Sequence, residues 1–386
     1  MSIHIIYYFF LPLFGVLSGV LILLIFKKLL TRELVAVPFS IRGRDKEIRY
    51  LAQQILTGQS GAIIGAFGNE RTAILDALRN PELYGDDADR FIFSTLDISA
   101  LEKECRQAQF WEYALEPIRE KFASDTESPL LFKAYKACEE NDFNNHYLDK
   151  LINHRKPDEW RLVLLLDRFE TLLDRPLLNN EKFLGGLRSV ASSQHPSSLS
   201  LVITTNEPLW QFYEDTKELN PKGSPYLNFL EAGAVTLGAI SDKEIDELLD
   251  NNSGYSFTDD DKYFLKDVSG NHPYLLQVVT VILIQAYREK EENPLETTRI
   301  IFFDKAFEML TNIFKFWSPK LCETFISVAQ ELDISSFKRE IKELKKQGFI
   351  RQENDKWQIR SSSFAEFVKD KTVQELCQQK QNNGTT

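Results

Sequence analysis

The residues that could do chemistry begin with Gly65-Ala-Phe-Gly-Asn-Glu-Arg-Thr72, which follows a short apolar run. At its first glycine and final threonine this segment matches the GxxxxGK[ST] loop, in which backbone N–H groups curl around a phosphate at a helix N-terminus. In that chemistry a lysine reaches the terminal phosphates and the hydroxyl sits on Mg²⁺. Two positions depart from it. Glu70 stands where the second glycine is expected, adding negative charge and removing glycine's conformational freedom. Arg71 stands at the lysine position; it keeps the charge but is bulkier and prefers planar, bidentate contacts. An ordinary strand, turn and helix without a ligand is the alternative reading of this loop.

A second constellation is Leu162-Val-Leu-Leu-Leu-Asp167-Arg168-Phe169-Glu170, a buried-strand pattern ending in a carboxylate that could hold Mg²⁺. Asp167 and Thr72 are therefore the candidate metal residues. Hydrolytic enzymes of this broad class usually follow that aspartate with a glutamate that orients the attacking water, and here Arg168 follows. Asp167, Arg168 and Glu170 are the catalytic candidates, although Glu170, two residues further on, is expected to point elsewhere as a helix-start carboxylate. Thr204-Thr205-Asn206 ends another apolar run, where a γ-phosphate sensor or a simple polar turn would fit. The five histidines and four cysteines share no metal-ligand spacing, and Ser224 and Ser269 lack a GxSxG context.

These residues need a scaffold. Candidate strands over 62–66, 91–96, 162–166, 199–204 and 234–237 alternate with helical stretches, which predicts a parallel sheet covered by helices on both faces. Helices are expected over 241–249 and 259–288, capped by Ser241 and Thr258. Across 302–370, helices precede β-prone stretches at 349–351 and 356–359, the pattern of a winged helix. Residues 378–386 read as a polar tail.

Taken together, the residues resemble the STAND-type branch of AAA-like P-loop ATPases over about 38–370. The likeness begins in Phe39-Ser-Ile-Arg-Gly-Arg-Asp-Lys-Glu47, similar to the box that precedes the P-loop. It continues through Gln109-Phe-Trp111, Phe183-Leu-Gly-Gly-Leu-Arg-Ser189, Gly223-Ser-Pro-Tyr-Leu-Asn228, Val235-Thr-Leu-Gly-Ala-Ile-Ser241 and Ser269-Gly-Asn-His-Pro-Tyr-Leu-Leu-Gln277. The resemblance implies an α/β P-loop NTPase core (31–238), a helical lid (239–300) and a winged-helix domain (301–372), with a tail at 373–386. It implies ATP or ADP with Mg²⁺, held by Gly65, Gly68, Arg71 and Thr72 at the phosphates, Asn206 as sensor and Pro273 against the adenine. A fold of this kind would bring Glu70 and Arg168 together, and their opposite charges suggest an ion pair closing the pocket.

The 386 residues carry a formal charge of −11, with no Asp, Glu, Lys or Arg in the first 26. An uncharged run of 22 residues, with Ile5 at one end and Phe26 at the other, is long enough for a transmembrane anchor over 1–30. Lys27, Lys28 and Arg32 follow it, which places the N-terminus outside and the remainder at the cytoplasmic face of the inner membrane. Gly15 and Gly19 form a GxxxG pair within that run. The acidic balance excludes a general polyanion binder. A basic stretch over 335–346 sits where a recognition helix would lie, but Glu340 and Glu343 among its lysines suit a solvated face. The expectation is a scaffold or signalling switch with a degenerate site, working through protein partners or self-association, in defence or stress response by analogy. The alternatives are a slow ATPase completed by a partner subunit and a membrane-tethered DNA-binding protein.

Overall fold

The computed structural model describes residues 43–123, 129–153, 160–192, 199–219, 226–252 and 255–369. Helix α1 (Asp45–Leu56) leads into β1 (Gly61–Ile64), α2 (Gly68–Ala77) and β2 (Phe91–Asp97). Four helices follow, α3 (Gln107–Ala114), α4 (Glu116–Ala123), α5 (Pro129–Glu140) and α6 (Asn145–Asn153). Then come β3 (Arg161–Asp167), α7 (Glu181–Ser192), β4 (Leu199–Thr205), α8 (Leu209–Thr216) and β5 (Ala234–Thr236). All pairings among these five strands are parallel, in the order β2-β3-β4-β1-β5. Each expected strand is present within two residues of its expected ends.

Strand β3 shows why the sheet is two-sided. All seven of its residues are buried, and successive side chains point to opposite faces. Leu162, Leu164 and Leu166 join the core beneath α3 to α8, whereas Val163 and Leu165 join Ile48, Leu51, Ile55, Ile74 and Leu75 of α1 and α2. Burying each such side chain contributes about 1.5–3 kcal/mol. The result is a helix–sheet–helix sandwich whose strand C-terminal ends carry the candidate site residues.

Beyond β5 lie α9 (Asp242–Asn252), α10 (Asp259–Ser269), α11 (Pro273–Glu289), α12 (Pro294–Phe316), α13 (Pro319–Ala329) and α14 (Lys338–Lys346). The antiparallel strands β6 (Ile350–Glu353) and β7 (Lys356–Ile359) and the short α15 (Ser362–Phe367) follow. Ser241 and Thr258 both cap: Ser241 Oγ accepts from the Glu244 N–H at 3.3 Å and Thr258 Oγ1 from the Asp261 N–H at 3.2 Å. The single helix expected over 259–288 is two helices. Gly270 ends α10 in the left-handed region at φ 58°, and Pro273, lacking an N–H to donate, opens α11. A third apolar core, built on Phe264, Leu276, Phe302, Phe325, Phe349 and Phe367, unites α9 to α15 and takes in Phe67 from the β1–α2 loop.

The transmembrane helix and the inner-membrane location require correction. Among the described residues no helix is long and apolar enough to cross a membrane. The longest, α12 at 23 residues, carries Glu296, Arg299, Asp304, Lys305, Glu308 and Lys315 along its length. The expected span, its glycine pair and the tail at 373–386 lie outside the described residues, and the described residues form no membrane helix.

Candidate functional site

The turn after β1 is short. Gly65, Ala66 and Phe67 separate the strand from α2, which already begins at Gly68. Glu70 and Arg71 therefore fall in the first turn of a helix, and both are buried. A Cβ at Gly65 would meet Leu237 side-chain atoms at 3.1 Å, so that leucine would have to yield by a few tenths of an ångström. Arg71 folds back toward its own loop: Nη1 donates to the Gly65 carbonyl, and Nη2 lies 3.3 Å from Glu170 Oε1. Burial pulls the Arg71 pKa down while Glu170 and Asp167 hold it up.

Glu70 turns the other way. Its Oε1 accepts from Arg44 Nε at 2.8 Å, and the same guanidinium donates to the Gly238 carbonyl at 2.7 Å and to Glu47 at 3.2 Å. Arg44 is 1% exposed. Burial raises the Glu70 pKa despite this partner, because removing a carboxylate from water outweighs the pairing. The ion pair expected between Glu70 and Arg168 does not form. Arg168 reaches Asp97 Oδ2 at 3.1 Å and Ser99 Oγ at 2.9 Å instead. Asp97 ends β2, the strand next to β3 in the sheet, so its carboxylate is the nearer partner.

Thr72 and Asp167 do meet. Thr72 Oγ1 donates to Asp167 Oδ2 at 2.6 Å, while Asp167 Oδ1 accepts from Thr204 Oγ1 and from the Arg168 N–H at 3.0 Å. Arg168 sits in the left-handed region at φ 53°, which turns the chain sharply into a 3₁₀ helix over Phe169–Asp174. That turn brings Glu170 back over the loop, contrary to the expectation that it points elsewhere. Burial raises its pKa, opposed by Arg71. Asn206, at the end of β4, is buried with its Oδ1 unpaired.

The start of α11 and the residue before it pack on the same loop. His272 is buried against Phe67, ring centroids 4.5 Å apart and edge to face, and its Nε2 is 3.9 Å from Glu70 Oε2. Burial, aided by the charge of Arg44, depresses its pKa well below the usual range, so the imidazole is neutral at pH 7. The Tyr274 ring lies 5.0 Å from that of Phe67, tilted by 32°. Pro273 is buried beside Gly43, its Cγ 3.6 Å from where a Gly43 Cβ would stand. Sequence reasoning assigned no role to Arg44 or His272. The available signal was Glu70 itself: a carboxylate flanked by a buried strand needs a cation.

A cleft of about 300 Å³ lies outside the loop. Gly68, Arg71, Glu170, Asn206 and Tyr274 line one part of it, and Met309, Ile313 and Phe316 of α12 form an apolar wall. The oxygens of Thr72 and Asp167 suit a hard cation such as Mg²⁺. The loop does not suit a polyphosphate: Arg71 fills it and a buried carboxylate stands in its first helical turn.

The fold has a counterpart among solved structures. A Walker-type ATPase of Pyrococcus abyssi superposes with a TM-score of 0.53 at 14% identity, covering 85% of this chain and 96% of that one. The ORC2 protein of Aeropyrum pernix, in its ADPNP–ADP complexes, gives 0.49 at 12% identity over 88% and 95% of the two chains. No family model and no curated protein matches the sequence. The chain thus shares the fold of that Walker-type ATPase.

Proposed function

We propose that this chain is a non-hydrolysing, STAND-like module on the P-loop ATPase fold, with core, helical lid and winged-helix unit, acting as a scaffold or signalling switch through protein partners or self-association. The Arg71–Glu170 pair carries this reading. Hydrolysis needs a carboxylate free to orient water beside the metal-binding aspartate. Arg168 occupies the adjoining position and turns away to Asp97. Glu170, the buried carboxylate nearest to hand, is committed to Arg71.

Helix α14 departs from the charge-balanced solvated face expected of it, because the acidic residues among its lysines are turned inward. Glu340 and Glu343 are buried rather than solvated, and the Arg339 guanidinium lies 3.8 Å from the Trp210 ring centroid on α8. Its surface is thus partly spent on the core. The test is a turnover assay on the full chain with ATP and Mg²⁺. The expected rate equals that of Asp167→Ala; a faster rate that Asp167→Ala abolishes overturns the proposal.

A further inference from the structure

We infer that Glu70 and Arg71 are the specificity-determining residues of this site: between them they keep nucleoside polyphosphates out of a loop whose other parts are in place. The inference rests on the non-hydrolytic reading and extends it from turnover to binding. The parts in place are the strand–turn–helix, the Thr72–Asp167 oxygen pair, the unpaired Asn206 Oδ1 and the adjoining cleft.

Each of the two residues opposes a polyphosphate in its own way. Arg71 is a steric and hydrogen-bonding plug. Its guanidinium takes the Gly65 carbonyl and Glu170 as partners, and Nη2 stands 3.8 Å from where a Gly68 Cβ would be, so it lies across the loop. Glu70 is an electrostatic plug. The first turn of a helix attracts anions through its free N–H groups and dipole, and here a carboxylate already stands in that turn. The Glu70 carboxylate is turned toward Arg44 and does not line the cleft, but its charge still acts on that turn through a medium where like charges repel far more than in water. Its partner Arg44 cannot turn to the phosphate without abandoning Glu70, Glu47 and Gly238 together. The two plugs also leave the lid fastened: Arg44 ties α2 to the stretch after β5, while Phe67 packs against His272 and Tyr274.

Titration calorimetry with Mg·ATP and with inorganic pyrophosphate, on the full-length wild type and on E70G/R71K, tests this. Wild type is expected to give no binding heat up to millimolar ligand. The double variant should bind Mg·ATP at least 100-fold more tightly, and T72A added to it should abolish the gain. R71K alone keeps the Arg44–Glu70 pair and so serves if the double variant loses its melting transition; it should gain at least tenfold for pyrophosphate. A folded double variant that stays silent, or an R71K protein no better than wild type where the double variant does not fold, overturns the inference while leaving the non-hydrolytic reading standing. Wild type that binds ATP without turning it over does the same. Wild-type turnover lost in Asp167→Ala instead brings down the reading beneath.

Discussion

Removing Arg44 is the sharpest probe of how this molecule is held together. The guanidinium is 1% exposed and Glu70 is 2% exposed, so Arg44→Ala leaves a carboxylate buried without its cation, together with an unpaired Gly238 carbonyl. Breaking a buried ion pair from one side costs about 3–5 kcal/mol, because the remaining charge stays desolvated. Urea unfolding followed by circular dichroism at pH 7.5 measures the loss directly. The loss should shrink toward pH 5, since burial already raises the Glu70 pKa and a protonated carboxyl no longer needs the partner. Replacing both members with apolar residues, as in R44M/E70L, should recover most of the stability. Lys46→Ala, which breaks an exposed pair with Glu244, should leave the midpoint where it was. The reasoning fails if Arg44→Ala costs less than about 1 kcal/mol, or if R44M/E70L is no more stable than Arg44→Ala.

Two other outcomes follow from buried groups and close approaches. His272 has a folded pKa depressed below its unfolded value near 6.5, so its contribution is present above pH 6.5 and lost as the pH falls toward the folded value. The unfolded chain takes the proton first, and wild type should lose about 1.4 kcal/mol per pH unit relative to His272→Met below pH 6.5. The difference isolates the histidine, because Glu70 and Glu170, whose pKa values are raised, act in the opposite direction in both proteins; equal slopes in urea titrations at pH 6.5 and 5.5 refute it. At Gly348, φ is +75° and a Cβ would stand 2.2 Å from the Ala239 nitrogen, so Gly348→Ala should cost about 2–4 kcal/mol in strain and displacement. Gly85→Ala, also at positive φ but with nothing within 4 Å of the new atom, should cost only about 1 kcal/mol, and equal melting temperatures for the two would contradict this account.

The sheet was legible because strands buried on both faces are written as unbroken apolar runs, as at 162–166. That Asp167 stands at a strand end was legible for a related reason, since it closes such a run; Thr72, inside the helix after β1, is marked by its place in the loop motif and not by a run. Glu170 was misread because its direction depends on a single backbone torsion at Arg168, and left-handed arginine leaves no mark in residue spacing. The partner of Glu70 was misassigned because charge alone could not choose between Arg168 and Arg44. Strand order chose: β2 lies beside β3 and supplies Asp97 to Arg168, leaving Glu70 to the residue preceding α1. Residues 270–273 were read within one helical stretch, yet the Gly and Pro that part the two helices were both visible there.

Helix α12 has a mechanical consequence. At 23 residues it is an unbroken rod about 35 Å long. Near one end Met309, Ile313 and Phe316 wall the cleft beside Arg71, and further back Ile300 and Ile301 are 59% and 41% exposed. A stiff rod transmits displacement rather than absorbing it. The wall of that cleft and the exposed Ile300 and Ile301 thus belong to one continuous element.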